Sequence, residues 1–160
     1  MLARALIAFL MLPGVFGAVV PWVLVSGDPW RGEGWLAGAG LMGPGLLGLM
    51  WCVRDFYVSG RGTLAPWDPP ARLVIVGLYR YTRNPMYVSL LLFVGGWSVA
   101  AGSPVLAAYA AIVAVAFHLR VILHEEPWCA KTFGPEWSAY SARVPRWVPR
   151  FTAEANRGER

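Results

Sequence analysis

The run Asn84–Phe117, NPMYVSLLLFVGGWSVAAGSPVLAAYAAIVAVAF, contains no charged residue. A bilayer crossing takes about 20 apolar residues, so this run is too long for one ordinary crossing. Gly102-Ser103-Pro104 divides it with the residue types that end helices and build turns. The stretch therefore predicts a helical hairpin over residues 86–101 and 104–124.

Upstream, Gly34–Val53 is a second uncharged run, rich in glycine and followed by Arg54-Asp55. Gly38, Gly45 and Gly48 would let a neighbouring backbone approach closely. Pro44 is a candidate kink, and Trp51 suits a membrane interface. Ala5–Val25 is a third uncharged run. It is too long for the apolar region of a signal peptide, and Ser26-Gly27-Asp28 offers no small-x-small cleavage pattern. It reads as a helix of the mature chain, bent near Pro13 or Pro21. Four membrane spans result.

Composition points the same way. Of 160 residues, 57% are hydrophobic and only 14% charged, with a mean hydropathy of +0.49. Soluble domains carry about a quarter charged residues, so a soluble globular domain is not expected, and disorder needs far lower hydrophobicity. The net charge of +5 lies between the apolar blocks. The 54–83 segment holds Arg54, Arg61, Arg72, Arg80 and Arg83 against Asp55 and Asp68, and the tail adds Arg120, Lys131, Arg143, Arg146, Arg150, Arg157 and Arg160. The loop after the first helix holds Asp28, Arg31 and Glu33. The positive-inside rule then puts both termini and the 54–83 segment in the cytoplasm of an inner or plasma membrane. Topology and anionic headgroups account for the basic residues better than nucleic acid does. Cys52 and Cys129 form no CxxC pair, and His118 and His124 lack metal-ligand spacing, so free thiols and no metal are expected.

Three polar clusters gather on the cytoplasmic face. Gly77–Tyr87, GLYRYTRNPMY, reads either as an interfacial belt with Asn84 as N-cap and Pro85 in the first turn, or as a helix start offering free N–H groups to an anion beside aromatic rings. Arg120–Glu126, RVILHEE, is either a solvated helix end or a pocket, because adjacent carboxylates at a membrane boundary are costly unless paired. On an α-helix Arg120 and His124 share a face, with Glu125 about one and a half turns from Arg120. Phe133–Pro149, FGPEWSAYSARVPRWVP, reads as a membrane-surface tail, with Trp137, Tyr140 and Trp147 in the interface and Arg143 and Arg146 on lipid phosphates.

In order and spacing, a G-x-Y segment leading into R-x-P-x-Y, an Arg-to-Glu-Glu helix end and a closing FG-x-x-x-x-x-Y-x-x-x-VPR resemble the isoprenylcysteine carboxyl methyltransferase and phospholipid methyltransferase superfamily. The resemblance covers residues from about 71 to 150. It implies an all-α integral-membrane bundle of about four transmembrane helices in one domain. Residues 1–58 would supply two N-terminal helices, and residues 71–150 the cofactor-binding and catalytic portion, closed by a cytosolic C-terminal segment. The implied cofactor is S-adenosylmethionine. Ala71, Arg72, Leu73, Val74 and Tyr79 match the strip that contacts the cofactor in that family, and Asn84, Pro85, Met86 and Tyr87 match its second strip. Glu125 stands where the family holds the cofactor, with Glu126 beside it, and Arg120 lies close to where the acceptor is engaged. Two positions depart from the pattern: Asn84 replaces the usual His, losing any proton-transfer role, and Trp137 stands where Tyr is common.

The implied reaction is methyl transfer to a hydrophobic or lipid-linked acceptor at the bilayer, with isoprenylcysteine-type carboxyl O-methylation ahead of phospholipid amine N-methylation. Arg120 would orient a carboxylate by a charge-assisted bond. An ammonium acceptor must first lose a proton, for which Glu126, His124 or water can serve. The alternative from another class is a four-helix membrane scaffold. A transporter is disfavoured, because no span carries an ionisable residue at its centre.

Overall fold

A computed structural model describes residues 10–27, 32, 34–55, 58 and 72–150, and all regular structure among them is helical. Helix α1 is a π-helical stretch, Leu10–Val19, that runs on as the α-helix Val20–Ser26. The change of register falls between Pro13 and Pro21, where a bend was expected. Pro21, which a π register would use to bond the Phe16 carbonyl, has no N–H. The hydroxyl of Tyr109 donates to that carbonyl instead, at 2.7 Å, and so ties α1 to the hairpin.

Helix α2, Trp35–Asp55, keeps Pro44 inside it and buries Gly38, Gly45, Leu49, Cys52 and Asp55 on one face. Helix α3, Pro85–Ala101, lies against that face. A β-carbon on Gly38 would stand 2.6 Å from the Gly96 carbonyl oxygen, and one on Gly45 2.7 Å from the Phe93 amide nitrogen. The expected close backbone approach is therefore real, and it is set by hydrogen in place of side chains along α2.

Gly102 ends α3 in the left-handed conformation at φ 61°, which glycine adopts without steric cost. The Ser103 hydroxyl accepts from the Leu106 amide at 3.2 Å and caps helix α4, Pro104–Arg120. The expected turn at residues 102–104 is thus present. The second arm of the hairpin does not stop at residue 124, however. It passes through one π-helical turn, Val121–Glu125, into helix α5, Glu126–Arg143, which is broken at Gly134 (φ 50°) beside Pro135. Residues 144–150 then run back along residues 81–84, with the Arg83 amide donating to the Pro145 carbonyl at 2.9 Å and the Arg150 amide to Tyr81 at 3.0 Å.

Trp35–Asp55 and the run Pro104–Arg143 are long and apolar enough to cross a membrane, whereas Gly14–Ser26 and Pro85–Ala101 are apolar but shorter. The outward faces carry large apolar side chains: Leu36, Leu47, Ile112 and Leu123 are each more than 60% exposed. Apolar surface of this extent marks contact with a membrane or a partner. Two core clusters form around Leu49, Leu90 and Val94 and around Cys52, Val74 and Tyr79, with Met86 packed against both.

Candidate active site

The π-helical turn decides the geometry of the site. On an α-helix, residues five apart point roughly 140° away from one another, so Arg120 and Glu125 would face apart. A π register pairs residues five apart. Here Arg120 Nε donates to Glu125 Oε1 at 2.7 Å, while His124, the partner that α-helical spacing suggests for Arg120, is exposed.

Tyr87, in the first turn of α3, completes this cluster. Its hydroxyl donates to Glu125 Oε1 at 2.5 Å and accepts from Arg120 Nε at 3.1 Å. Its ring stacks on Phe117 with centroids 4.4 Å apart, which fixes the hydroxyl's aim. All of Arg120's hydrogen bonds run through Nε, and its two Nη groups make none among the described residues. Arg120 and Glu125 are 45% and 33% exposed in their side chains, so the cluster is accessible from outside.

Glu126 turns the other way. Arg146 grips it with both arms of its fork, Nε to Oε1 at 2.7 Å and Nη2 to Oε2 at 2.8 Å. Arg83 Nη1 lies 3.0 Å from Oε1, and its guanidinium sits over the Trp137 ring at 5.5 Å. The hydrogen bond from Arg146 to Glu126 also raises the pKa of that guanidinium, outweighing its slight burial. Arg146 thus pairs with Glu126, where the sequence suggested a lipid phosphate, and Arg143 Nε bonds the Ala139 carbonyl of its own helix at 3.1 Å.

Asn84 occupies the position before α3, but its side chain makes no capping bond there. Its amide instead donates to the Arg146 carbonyl at 3.0 Å. Thr82 Oγ1 stands 3.1 Å from the carbonyls of both Arg146 and Trp147. Pro85 is buried at the helix start, and Met86 packs beneath it between the two core clusters.

The first expected strip is only partly in contact with this centre. Ala71 lies outside the described residues. Arg72 is exposed and makes no polar contact among the described residues, Leu73 is half-buried, and Val74 is buried in the cluster with Cys52 and Tyr79. Tyr79 hydrogen-bonds with Cys52, and burial pushes its phenol well above the ordinary value, so it stays protonated. Its carbonyl accepts from Tyr140 at 2.7 Å, which ties the 3-10 turn Gly77–Arg80 to α5. Two of the clamp residues, Arg83 and Arg146, were not expected in the site. Arg146 is twenty residues from Glu126, and no helical period links such positions.

An open apolar groove of about 440 Å³ is lined by Val88, Leu91 and Leu92 of α3, Ala114 and His118 of α4, and Trp147. Val88 and His118 follow Tyr87 and Phe117 directly in the chain. At the rim Trp147 Nε1 donates to His118 Nδ1 at 3.2 Å.

The chain matches the family model of the phospholipid methyltransferases over residues 36–136, a span that holds Tyr87, Arg120, Glu125 and Glu126. It is 32% identical to the cobalt-zinc-cadmium resistance protein CzcN of Cupriavidus metallidurans over 94% of this chain and 70% of that protein. No solved structure matches it. A polar cluster at the ends of apolar helices and a match across most of them agree: the chain belongs to the phospholipid methyltransferase family, a membrane methyltransferase group within the superfamily that includes the isoprenylcysteine carboxyl methyltransferases.

Proposed function

We propose that this protein is a membrane-embedded S-adenosylmethionine-dependent methyltransferase acting on a hydrophobic acceptor that carries an anionic group, from the cytoplasmic side of a four-span bundle. The observation that carries the reading is the Tyr87–Arg120–Glu125 cluster, with an apolar groove on the same two helices whose lining residues Val88 and His118 are close in the chain to Tyr87 and Arg120. S-adenosylmethionine, when bound, supplies a methyl group on a positively charged sulfur. The donor set fits such a group, because a carboxylate and stacked aromatic rings both attract a cation. Glu125 and Tyr87 would hold it, with Asn84, Pro85 and Met86 shaping the helix start beside them.

Arg120 is then free to do a second job. Its Nε is spent on Glu125 and Tyr87, and its Nη groups would orient an acceptor carboxylate or phosphate by charge-assisted bonds. The groove between α3 and α4 would take the acceptor's apolar chain from the bilayer, so that the reacting atom meets the polar cluster. Holding two partners in line in this way supplies a large part of the barrier reduction without any covalent step by the protein. A prenylated cysteine carboxylate meets these demands with no general base. A phosphatidylethanolamine headgroup offers the phosphate but also needs to lose an ammonium proton.

The test is transfer of labelled methyl from S-adenosylmethionine by the detergent-purified protein, first to prenylated cysteine analogues and then to aminophospholipids in vesicles. Label in either class supports the reading and names the acceptor. Failure to bind S-adenosylmethionine or S-adenosylhomocysteine in detergent or lipid would replace it with a membrane scaffold.

A further inference from the structure

We infer that the adjacent glutamates have divided roles: Glu125 faces the reacting groups, whereas Glu126 is a positioning residue that clamps residues 144–150 across the start of α3. The inference rests on the methyltransferase reading above and adds to it how the site is held closed.

The clamp draws on three separate parts of the chain. Glu126 begins α5, Arg83 stands just ahead of α3, and Arg146 lies beyond the end of α5. Their side chains are 18%, 12% and 35% exposed, so the network is mostly withdrawn from water and its bonds are little screened. Around it the same short segment is bonded to residues 81–84 through main-chain groups: Arg83 to Pro145, Arg150 to Tyr81, and Thr82 and Asn84 to the Arg146 carbonyl. The bidentate Arg146–Glu126 pair is the ion pair that joins this returning segment to α5 among the described residues. Removing it leaves main-chain bonds at the segment's edge and the Trp147–His118 contact.

This geometry suits a strut and not a proton acceptor. Both Glu126 oxygens already accept from the Arg146 fork, and Arg83 Nη1 lies 3.0 Å from Oε1 as a second positive group, so the carboxylate is held between two cations. The guanidiniums do not give up protons, so no proton relay leads through them. Glu126 instead acts on the reaction through place: it holds Arg83, and with it the start of α3, one turn from Tyr87. The Trp147 side chain, carried by the clamped segment, forms one wall of the groove.

The experiment compares wild type with Glu126→Gln, Arg146→Gln and the double variant, in two independent readouts. Amide hydrogen exchange over residues 144–150 of the cofactor-free protein is expected to rise at least about tenfold in each single variant and no further in the double, because both break one link. In methyl transfer, KM for S-adenosylmethionine is expected to rise about tenfold and kcat to fall less than about threefold, with both limbs of the pH–rate profile kept. A collapse of kcat with loss of one limb and unchanged exchange would overturn the inference and make Glu126 a proton carrier. Should Glu126→Gln fail to fold, Arg146→Lys keeps the charge but loses the fork, and unchanged exchange in that variant overturns the inference as well. Exchange is measured without turnover, so failure of the methyltransferase reading shows separately, as absence of transfer by the wild type.

Discussion

Glu125→Gln keeps the shape of the side chain and removes its charge. In the native site Glu125 Oε1 accepts from Arg120 Nε at 2.7 Å and from the Tyr87 hydroxyl at 2.5 Å. Hydrogen bonds to charged groups contribute about 1.5–3 kcal/mol each when desolvated. Here the carboxylate is 33% and Arg120 45% exposed, so solvent screening reduces both, and the glutamine oxygen still accepts one neutral bond. The expected net loss at the site is about 2 kcal/mol, which is about a 30-fold weaker Kd for S-adenosylmethionine. S-adenosylhomocysteine carries no sulfonium charge, so its affinity is expected to fall less, about threefold. Calorimetric titration of the detergent-purified variant reads both values, with thermal unfolding as the control. Wild-type affinity for both ligands in a variant with wild-type Tm would refute the place given to Glu125.

Arg120→Ala is expected to lower kcat at least about tenfold more than it changes cofactor affinity, if its Nη groups engage the acceptor as proposed; equal loss in turnover and calorimetry would contradict that role. Gly45→Val should force α2 off α3, because its β-carbon would stand 2.7 Å from the Phe93 amide nitrogen and 2.8 Å from the Ser89 carbonyl; overpacking of this kind costs about 1–3 kcal/mol or more, read as a lower Tm or loss of folded protein. Tyr140→Phe leaves the buried Tyr79 main chain without the bond it now receives at 2.7 Å, at a cost of about 1–3 kcal/mol; denaturation in detergent would register it, and unchanged stability would mean that the tie between α5 and the 3-10 turn is dispensable.

Much of this architecture was legible in local sequence because its causes are local. Gly102-Ser103-Pro104 had to be a turn, since a left-handed glycine, a capping hydroxyl and a proline follow in order. The glycines of α2 announced a close backbone contact, although not which helix would supply it. Asn84 does stand at the N-cap position of α3, as local sequence suggested, but its side chain makes no capping bond; its Nδ2 instead donates to the Arg146 carbonyl, which the chain brings back after α5. Helix α4 likewise looked complete at residue 124 because the polar residues begin there, whereas helical hydrogen bonding runs on through the π turn.

By itself the sequence determined that its long apolar runs form helices, and that most of the basic residues lie in the 54–83 segment and the C-terminal tail. Hydrophobic period and charge placement need no knowledge of partners to act. Its motifs also carried the family. Only the tertiary structure decided which partners the two glutamates take. One extra residue in a helical turn rotates Glu125 under Arg120 and Tyr87, and sends Glu126 to Arg83 and Arg146. Helix register at one turn, and the return of a segment twenty residues away, depend on packing energies summed over the whole bundle, and these leave no periodic mark in the chain.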